Sequence, residues 1–333
     1  MLSPSTVSSF SLNTKDAESA KTTGSPESLS PDEAAEDYEA HLPFKIPGAV
    51  VLSAPSISAL QETANEVYLQ LNSDTSYSNQ FIIVSNLSQQ VQELIGEDRN
   101  PLKGVPYRLT LDTQRQRAVI RIKPSGAHER VTQSFSLELA EKLLDMGICS
   151  RAYTMNAATR YRGTSCEKEA DQSLTPSRDA FTDKEWPSLV IETGLSESEA
   201  QLRADSHWWF SNSDYRVNMV ILFHIRRSPE RRVTVKLYSL RPTTRRVTRG
   251  LQAEAQRILL SNPTLSQTSS PIVLRHSAVH EIVVTSRDVQ NAPLELDFES
   301  VMRRQPAPNT REKNIIFTAE DLAECCNHVF LEA

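Results

Sequence analysis

The stretch that most constrains the fold runs from Trp186 to Arg226. PSLVIET is an apolar run that ends in a carboxylate, RVNMVILFHIR is a longer apolar run, and SESEAQLRADSHWWFSN lies between them. The middle segment has helical spacing and acidic residues in its first turn, with Ser196 or Ser198 as its expected N-cap. Strand, helix, strand is a crossover unit, which sets its two strands parallel in one sheet. RRVTVKLYSL predicts a further strand just after it. Upstream, SFSLELAEKLLDMGI brings Leu137, Leu139, Leu143, Leu144 and Ile148 near one stripe and predicts a helix ending at Gly147. RAYTMNAATRYRG and DQSLTP predict extended pieces. The order helix, strand, strand, strand, helix, strand, strand describes an α/β core with at least one parallel pair in a mixed sheet.

Around this core the chain reads in four parts. Residues 1–45 are rich in Ser, Glu and Asp and poor in large apolar groups, so they cannot bury enough surface to offset their ordering entropy and are expected to be disordered. Residues 46–130 predict an α+β elaboration. In it ISALQETANEVYLQL is a helix, FIIVS a buried strand and SQQVQELIGE a helix starting from Ser88, while YRLTLD and RAVIRIK form a hairpin around TQRQ. Residues 131–250 hold the core. Residues 251–333 read as an appendage, with a helix at LQAEAQRILL, two short strands at PIVLRH and HEIVVTS, and a last helix at AEDLAECCNHVF.

Composition removes several function classes. No apolar run approaches the roughly 20 residues that span a bilayer, so no membrane partner is expected. The N-terminus has no basic region followed by an apolar stretch, and the four cysteines show no CxxC spacing. Together these predict a reducing, intracellular location, nucleus or cytoplasm. There is no glycine-rich phosphate loop, serine elbow or Cys–His signature. The net charge of -6 hides a segment, Arg226 to Arg249, with nine basic residues against one acidic residue. Arg226, Arg227, Arg231, Arg232, Arg245 and Arg246 are its candidate nucleic-acid contacts, acting through counterion release. A solvated hairpin face is the other reading of the same charges.

Glu192 ends a run that reads as a buried strand, where an unpaired carboxylate is costly. It must be paired, protonated, ligated or lifted into solvent. KEADQSLTP, WPSLVIETG, SESEAQLRADSHWWF and VNMVILFHI together resemble the PD-(D/E)xK nuclease superfamily, and within it fungal restriction-endonuclease-like proteins. The resemblance covers Ser134 to Leu240. It implies a restriction-endonuclease-like core with helices on both faces and puts the family's metal-ligand positions on Asp171 and Glu192. It further implies Mg²⁺ or Mn²⁺ between them and hydrolysis of nucleic acid phosphodiesters. Two carboxylates bridged by a hard cation would polarise a phosphodiester and lower the pKa of an attacking water.

The sequence departs from the pattern at Gly194, which stands where the family has its lysine. Lys236 is the expected replacement, with Arg203 and Arg160 or Arg162 as further candidates. Glu138 and Glu141 are available for the extra helix carboxylate that some relatives add. Two functions follow from the resemblance: a metal-dependent nuclease, or a non-catalytic descendant of that fold serving as a protein or nucleic-acid interaction module.

Overall fold

The fold is known from a computed structural model that describes residues 46–73, 79–97, 100–123, 126–157, 159–163, 166–177, 186–195, 199–227, 229–242 and 274–331. Six strands form a first sheet: β1 (Val50–Ser53), β2 (Phe81–Ser85), β3 (Tyr107–Asp112), β4 (Arg117–Ile122), β6 (Arg160–Arg162) and β7 (Glu167–Glu169), in the order β1-β2-β4-β3-β7-β6. The β1–β2 pair is parallel and is connected by helix α1 (Ile57–Ser73). All other pairs of this sheet are antiparallel. Helix α2 (Gln89–Glu97) follows β2 and starts, as expected, from Ser88, whose hydroxyl accepts from the Val91 N–H at 3.3 Å.

The second sheet has seven strands. They are β5 (Tyr153–Ala157), β8 (Gln172–Pro176), β9 (Leu189–Leu195), β10 (Met219–Arg226), β11 (Arg232–Pro242), β12 (Leu274–Val284) and β13 (Val289–Gln290), in the order β13-β12-β11-β10-β9-β8-β5. β9 and β10 are the parallel neighbours that the sequence predicts, connected by helix α4 (Glu199–Asn212). The class is therefore mixed α/β. Residues 251–333, expected as an appendage, supply β12 inside this sheet, the ribbon β14 (Leu294–Leu296) and β15 (Ile315–Phe317), helix α5 (Phe298–Met302) and helix α6 (Ala319–Leu331). All of these described elements belong to one compact unit.

Helix α3 (Ala127–Asp145) begins seven residues before the expected Ser134. Its N-cap, Gly126, has φ 95, a backbone conformation that disfavours residues with a Cβ. The buried stripe is Val131, Phe135, Leu139 and Leu143, and of the expected set Leu137 and Leu144 are exposed instead. The stripe is spaced by four residues because α3 rests on β9 and β10 along one line, while α6 covers its flank. Phe135 anchors that contact, stacked on Phe317 at 4.3 Å and edge-on to Phe223 at 5.0 Å.

Other expectations are corrected in detail. RAYTMNAATRYRG is two strands, β5 in one sheet and β6 in the other, so the chain crosses between sheets at this point. LRHSAVHEIVV is one strand rather than two, with an irregularity opposite Leu237 and Tyr238. Residues 1–45, the expected helix LQAEAQRILL and the N-cap choice between Ser196 and Ser198 lie outside the described residues. No helix among the described residues is long and apolar enough to cross a membrane.

Alternation along β9 sets up the site. Leu189, Ile191 and Leu195 join the core under α3, while Val190 faces Trp208, Trp209 and Phe210 of α4. Glu192, two residues after Val190, thus points to the α4 side.

Candidate functional site

Asp171 directly precedes β8, and β8 pairs with β9, so the two strands bring Asp171 and Glu192 together. One nitrogen joins them. Arg121 of β4 donates through Nη2 to Asp171 Oδ2 at 2.8 Å and to Glu192 Oε2 at 2.8 Å. Their inner oxygens therefore lie at most twice that distance apart. Both carboxylates are closed off from solvent, with side-chain exposures of 0% and 2%.

The remaining oxygens lie among cations, although Asp171 Oδ1 accepts no hydrogen bond among the described residues. Asp171 Oδ2 also accepts the Thr193 backbone N–H at 2.9 Å. Its Oδ1 is 3.2 Å from Arg108 Nε of β3 and 3.6 Å from Lys123 Nζ, just past β4. Glu192 Oε1 accepts from Trp209 Nε1 at 2.9 Å and lies 3.6 Å from Lys168 Nζ of β7. Lys168 donates to Asp205 of α4 at 2.5 Å and lies over the rings of Trp208 and Trp209. From below, His128 in the first turn of α3 donates through Nε2 to the Thr193 carbonyl, and Thr132 shares a 2.7 Å hydrogen bond with the Thr193 hydroxyl.

The charges are segregated by element. Arg108, Arg121, Lys123 and Lys168 all belong to the first sheet or its margin, while Asp171, Glu192 and Asp205 belong to the second sheet and its helix. Burial alone would raise Asp171, but the charges of Arg121, Lys123, His128 and Arg108 hold its carboxyl well below the usual range. For Glu192 burial is the largest influence, and its pKa is raised although Lys168 and Arg121 pull the other way. The pair thus ionises in a fixed order, Asp171 first. Burial lowers Lys168, yet Asp205 and Glu192 outweigh it and its pKa is raised. His128 is held neutral: burial is the main cause that lowers its pKa to about 3, with Lys123 and Arg121 adding to it against Asp171 and the Thr193 carbonyl.

A divalent ion bound by both carboxylates would have to occupy the place of Arg121 Nη2, because both inner oxygens point to that atom. The pair as built is already neutralised by a guanidinium, with a second guanidinium and two ammonium groups within 3.6 Å of it. These residues do not fit a resident Mg²⁺. Among the described residues no group of three or more His, Cys, Asp or Glu side chains is placed to hold a metal ion.

The other candidates are elsewhere. Lys236 faces the same side as Glu192, but Leu222 pairs with both, which sets Lys236 two strands away, about 10 Å. Its Nζ is 2.9 Å from Glu281 Oε2 on β12. Arg160 pairs with Glu169 at 2.8 Å, and Arg162 pairs with Glu167 at 2.6 Å. The side chain of Arg203 lies outside the described residues. Glu138 pairs with Lys142 on the α6 side of α3, and Glu141 is exposed.

Of the basic segment, Arg226 and Arg232 are paired in register where the β10–β11 hairpin turns. Arg227 instead donates to the Leu71 carbonyl at 2.6 Å and Arg231 to the Val329 carbonyl at 3.5 Å. Arg245 and Arg246 lie outside the described residues.

Comparison with known proteins adds little. No family model and no curated protein matches the chain. Among solved structures, a protein of Anabaena variabilis described as a "putative nuclease belonging to DUF820" is similar, at 16% identity and a TM-score of 0.27 over 36% of this chain and 67% of that one.

Proposed function

We propose that this protein is a non-catalytic binding module built on a nuclease-like α/β core, with nucleic acid as its partner. The observation that carries this reading is the Arg121 guanidinium between Asp171 and Glu192. An acid pair closed off from solvent and already neutralised is an ion lock between two sheets. It offers neither a metal seat nor a water path at the carboxylates. The basic residues around the β10–β11 turn, with Arg226 exposed and Arg232 half-buried, support a polyanionic partner.

A second reading, hydrolysis of nucleic acid with Mg²⁺ or Mn²⁺, is favoured by one specific observation. Asp171, Glu192 and Lys168 converge, which gives two acids and an ammonium with Lys168 in place of the missing motif lysine. It requires Arg121 to leave the pair. The two readings separate in one assay series: single- and double-stranded DNA and RNA incubated with Mg²⁺ or Mn²⁺ and wild type or Glu192→Ala. The module reading expects no cleavage, and nucleic-acid binding that weakens steeply with salt. Cleavage by wild type that Glu192→Ala abolishes would overturn it in favour of the second.

A further inference from the structure

We infer that two copies of this chain pair through the outer stripe of α3, antiparallel about a two-fold axis at Leu137. The contact needs no nucleic acid and so goes beyond the module reading above.

The face of α3 turned away from β9 and β10 is not simply polar. Leu137 and Leu144 are 58% and 62% exposed. Single exposed leucines are ordinary, but these two stand seven residues apart on one line. With exposed Arg130, Gln133 and Glu141 they fall within about 80° of one another around the helix. The buried stripe of Val131, Phe135, Leu139 and Leu143 lies on the opposite side, so the outer stripe points away from the core. The order of charges along it selects the occupant. Arg130 stands near the N-terminal end, Leu137 in the middle, and Glu141 and exposed Asp145 near the C-terminal end. A stripe that is basic at one end and acidic at the other complements a reversed copy of itself, which is what a two-fold interface requires. With the axis at Leu137 the two Leu137 side chains meet, and Arg130 of each copy stands opposite Leu144 of the other. The aliphatic stem of Arg130 then covers that Leu144, while its guanidinium reaches Glu141 and Asp145 of the second copy. A parallel pair would set Arg130 against Arg130 and Glu141 against Glu141, which repels.

The test is sedimentation equilibrium of the full chain at low salt, from about 2 to 200 µM. One helix pair is a small interface, so a monomer–dimer equilibrium with a Kd on the order of 10 µM is expected. Leu137→Glu, which brings two carboxylates together at the axis, is expected to weaken it at least about tenfold. Arg130→Glu in one protein, and Glu141→Arg with Asp145→Arg in another, should each weaken it by a similar factor, because each copy then repels its own kind. An equimolar mixture of those two proteins should restore dimers to within about threefold of wild type, since every opposed pair is again of unlike sign. All these positions are exposed and the new charges follow the helix dipole, so the fold is retained. The inference is overturned if wild type stays monomeric at about 200 µM, if Leu137→Glu dimerises as well as wild type, or if the mixture stays monomeric. A monomeric wild type whose nucleic-acid binding is weakened by Leu137→Glu would assign the stripe to that partner and overturn it equally. Should Leu137→Glu fail to fold, the mixture decides alone.

Discussion

His128 shows what the ion lock demands of a single side chain. It is a base buried beside Arg121 and Lys123, facing Asp171 and the Thr193 carbonyl, and it stays neutral down to about pH 3. The unfolded chain takes up that proton near pH 6.5, its ordinary value. Below pH 6.5 the unfolded state therefore binds more protons than the folded state, and stability falls with pH until about pH 3. Between pH 7 and pH 5 the loss from this group is about 2 kcal/mol. His128→Gln is expected to flatten the fall of the urea midpoint over that interval, and an unchanged pH slope would show that His128 is not its source. Arg121 was hidden in the sequence for a related reason. In RAVIRIK it alternates with Ala118, Ile120 and Ile122, and alternation alone reads Arg121 and Lys123 as the wet face of a hairpin. The second sheet covers that face, which makes it interior, and no local pattern reports a partner fifty or more residues away. Glu192 stood out as a carboxylate ending an apolar run, and Asp171 was paired with it only through the family resemblance.

At the scale of elements, three arginines that look like a ligand-binding surface or a spare catalytic cation turn out to finish helices. α1 and α2 have no basic residue in their last turns. Arg227 reaches the Leu71 carbonyl in the last turn of α1, Arg160 reaches the Gly96 carbonyl in the last turn of α2 at 2.7 Å, and Arg231 reaches the end of α6. Each supplies a donor and a positive charge where carbonyls are left over and the helix dipole is negative. Arg227→Ala should lower stability by about 1 kcal/mol and speed amide exchange at the end of α1. By contrast, Arg226→Ala with Arg232→Ala should leave stability nearly intact and reduce the salt slope of nucleic-acid binding by about 2. Equal effects of the two sets on binding would put all three arginines on the same surface. Most elements were legible from period alone, as with FIIVS and the hairpin. The misplaced stripe on α3 has a physical cause: β9, β10 and α6, all distant in sequence, together decide which leucines are covered.

For the whole molecule, the two sheets meet with cations on one side and carboxylates on the other, so neither side can be buried alone without leaving unpaired charge. That makes closure of the unit cooperative, and it bears on how the thiols behave. Cys166, Cys325 and Cys326 are buried, while Cys149 is exposed. Burial pushes Cys325 up to about 12 and Cys326 higher still. A thiol reagent at neutral pH is expected to label one cysteine of the native protein quickly and the other three only as it unfolds. Fast labelling of more than one would mean that the unit opens without global unfolding.

The aromatic cluster beside Glu192 gives this closure an optical signature. The chain has 3 tryptophans, and Trp186, Trp208 and Trp209 are all of them. Their ring centroids lie between 4.9 and 6.2 Å apart, with Tyr161 stacked on Trp186 and the Trp208 N–H on the Cys166 sulfur. Excitation passes freely among rings this close, so the intrinsic emission behaves as that of one site. It is silent on α1, α2 and α6 and reports the seam where the first sheet docks on α4. An unfolding transition followed by emission and by backbone dichroism on the same sample compares the parting of that seam with the melting of everything else.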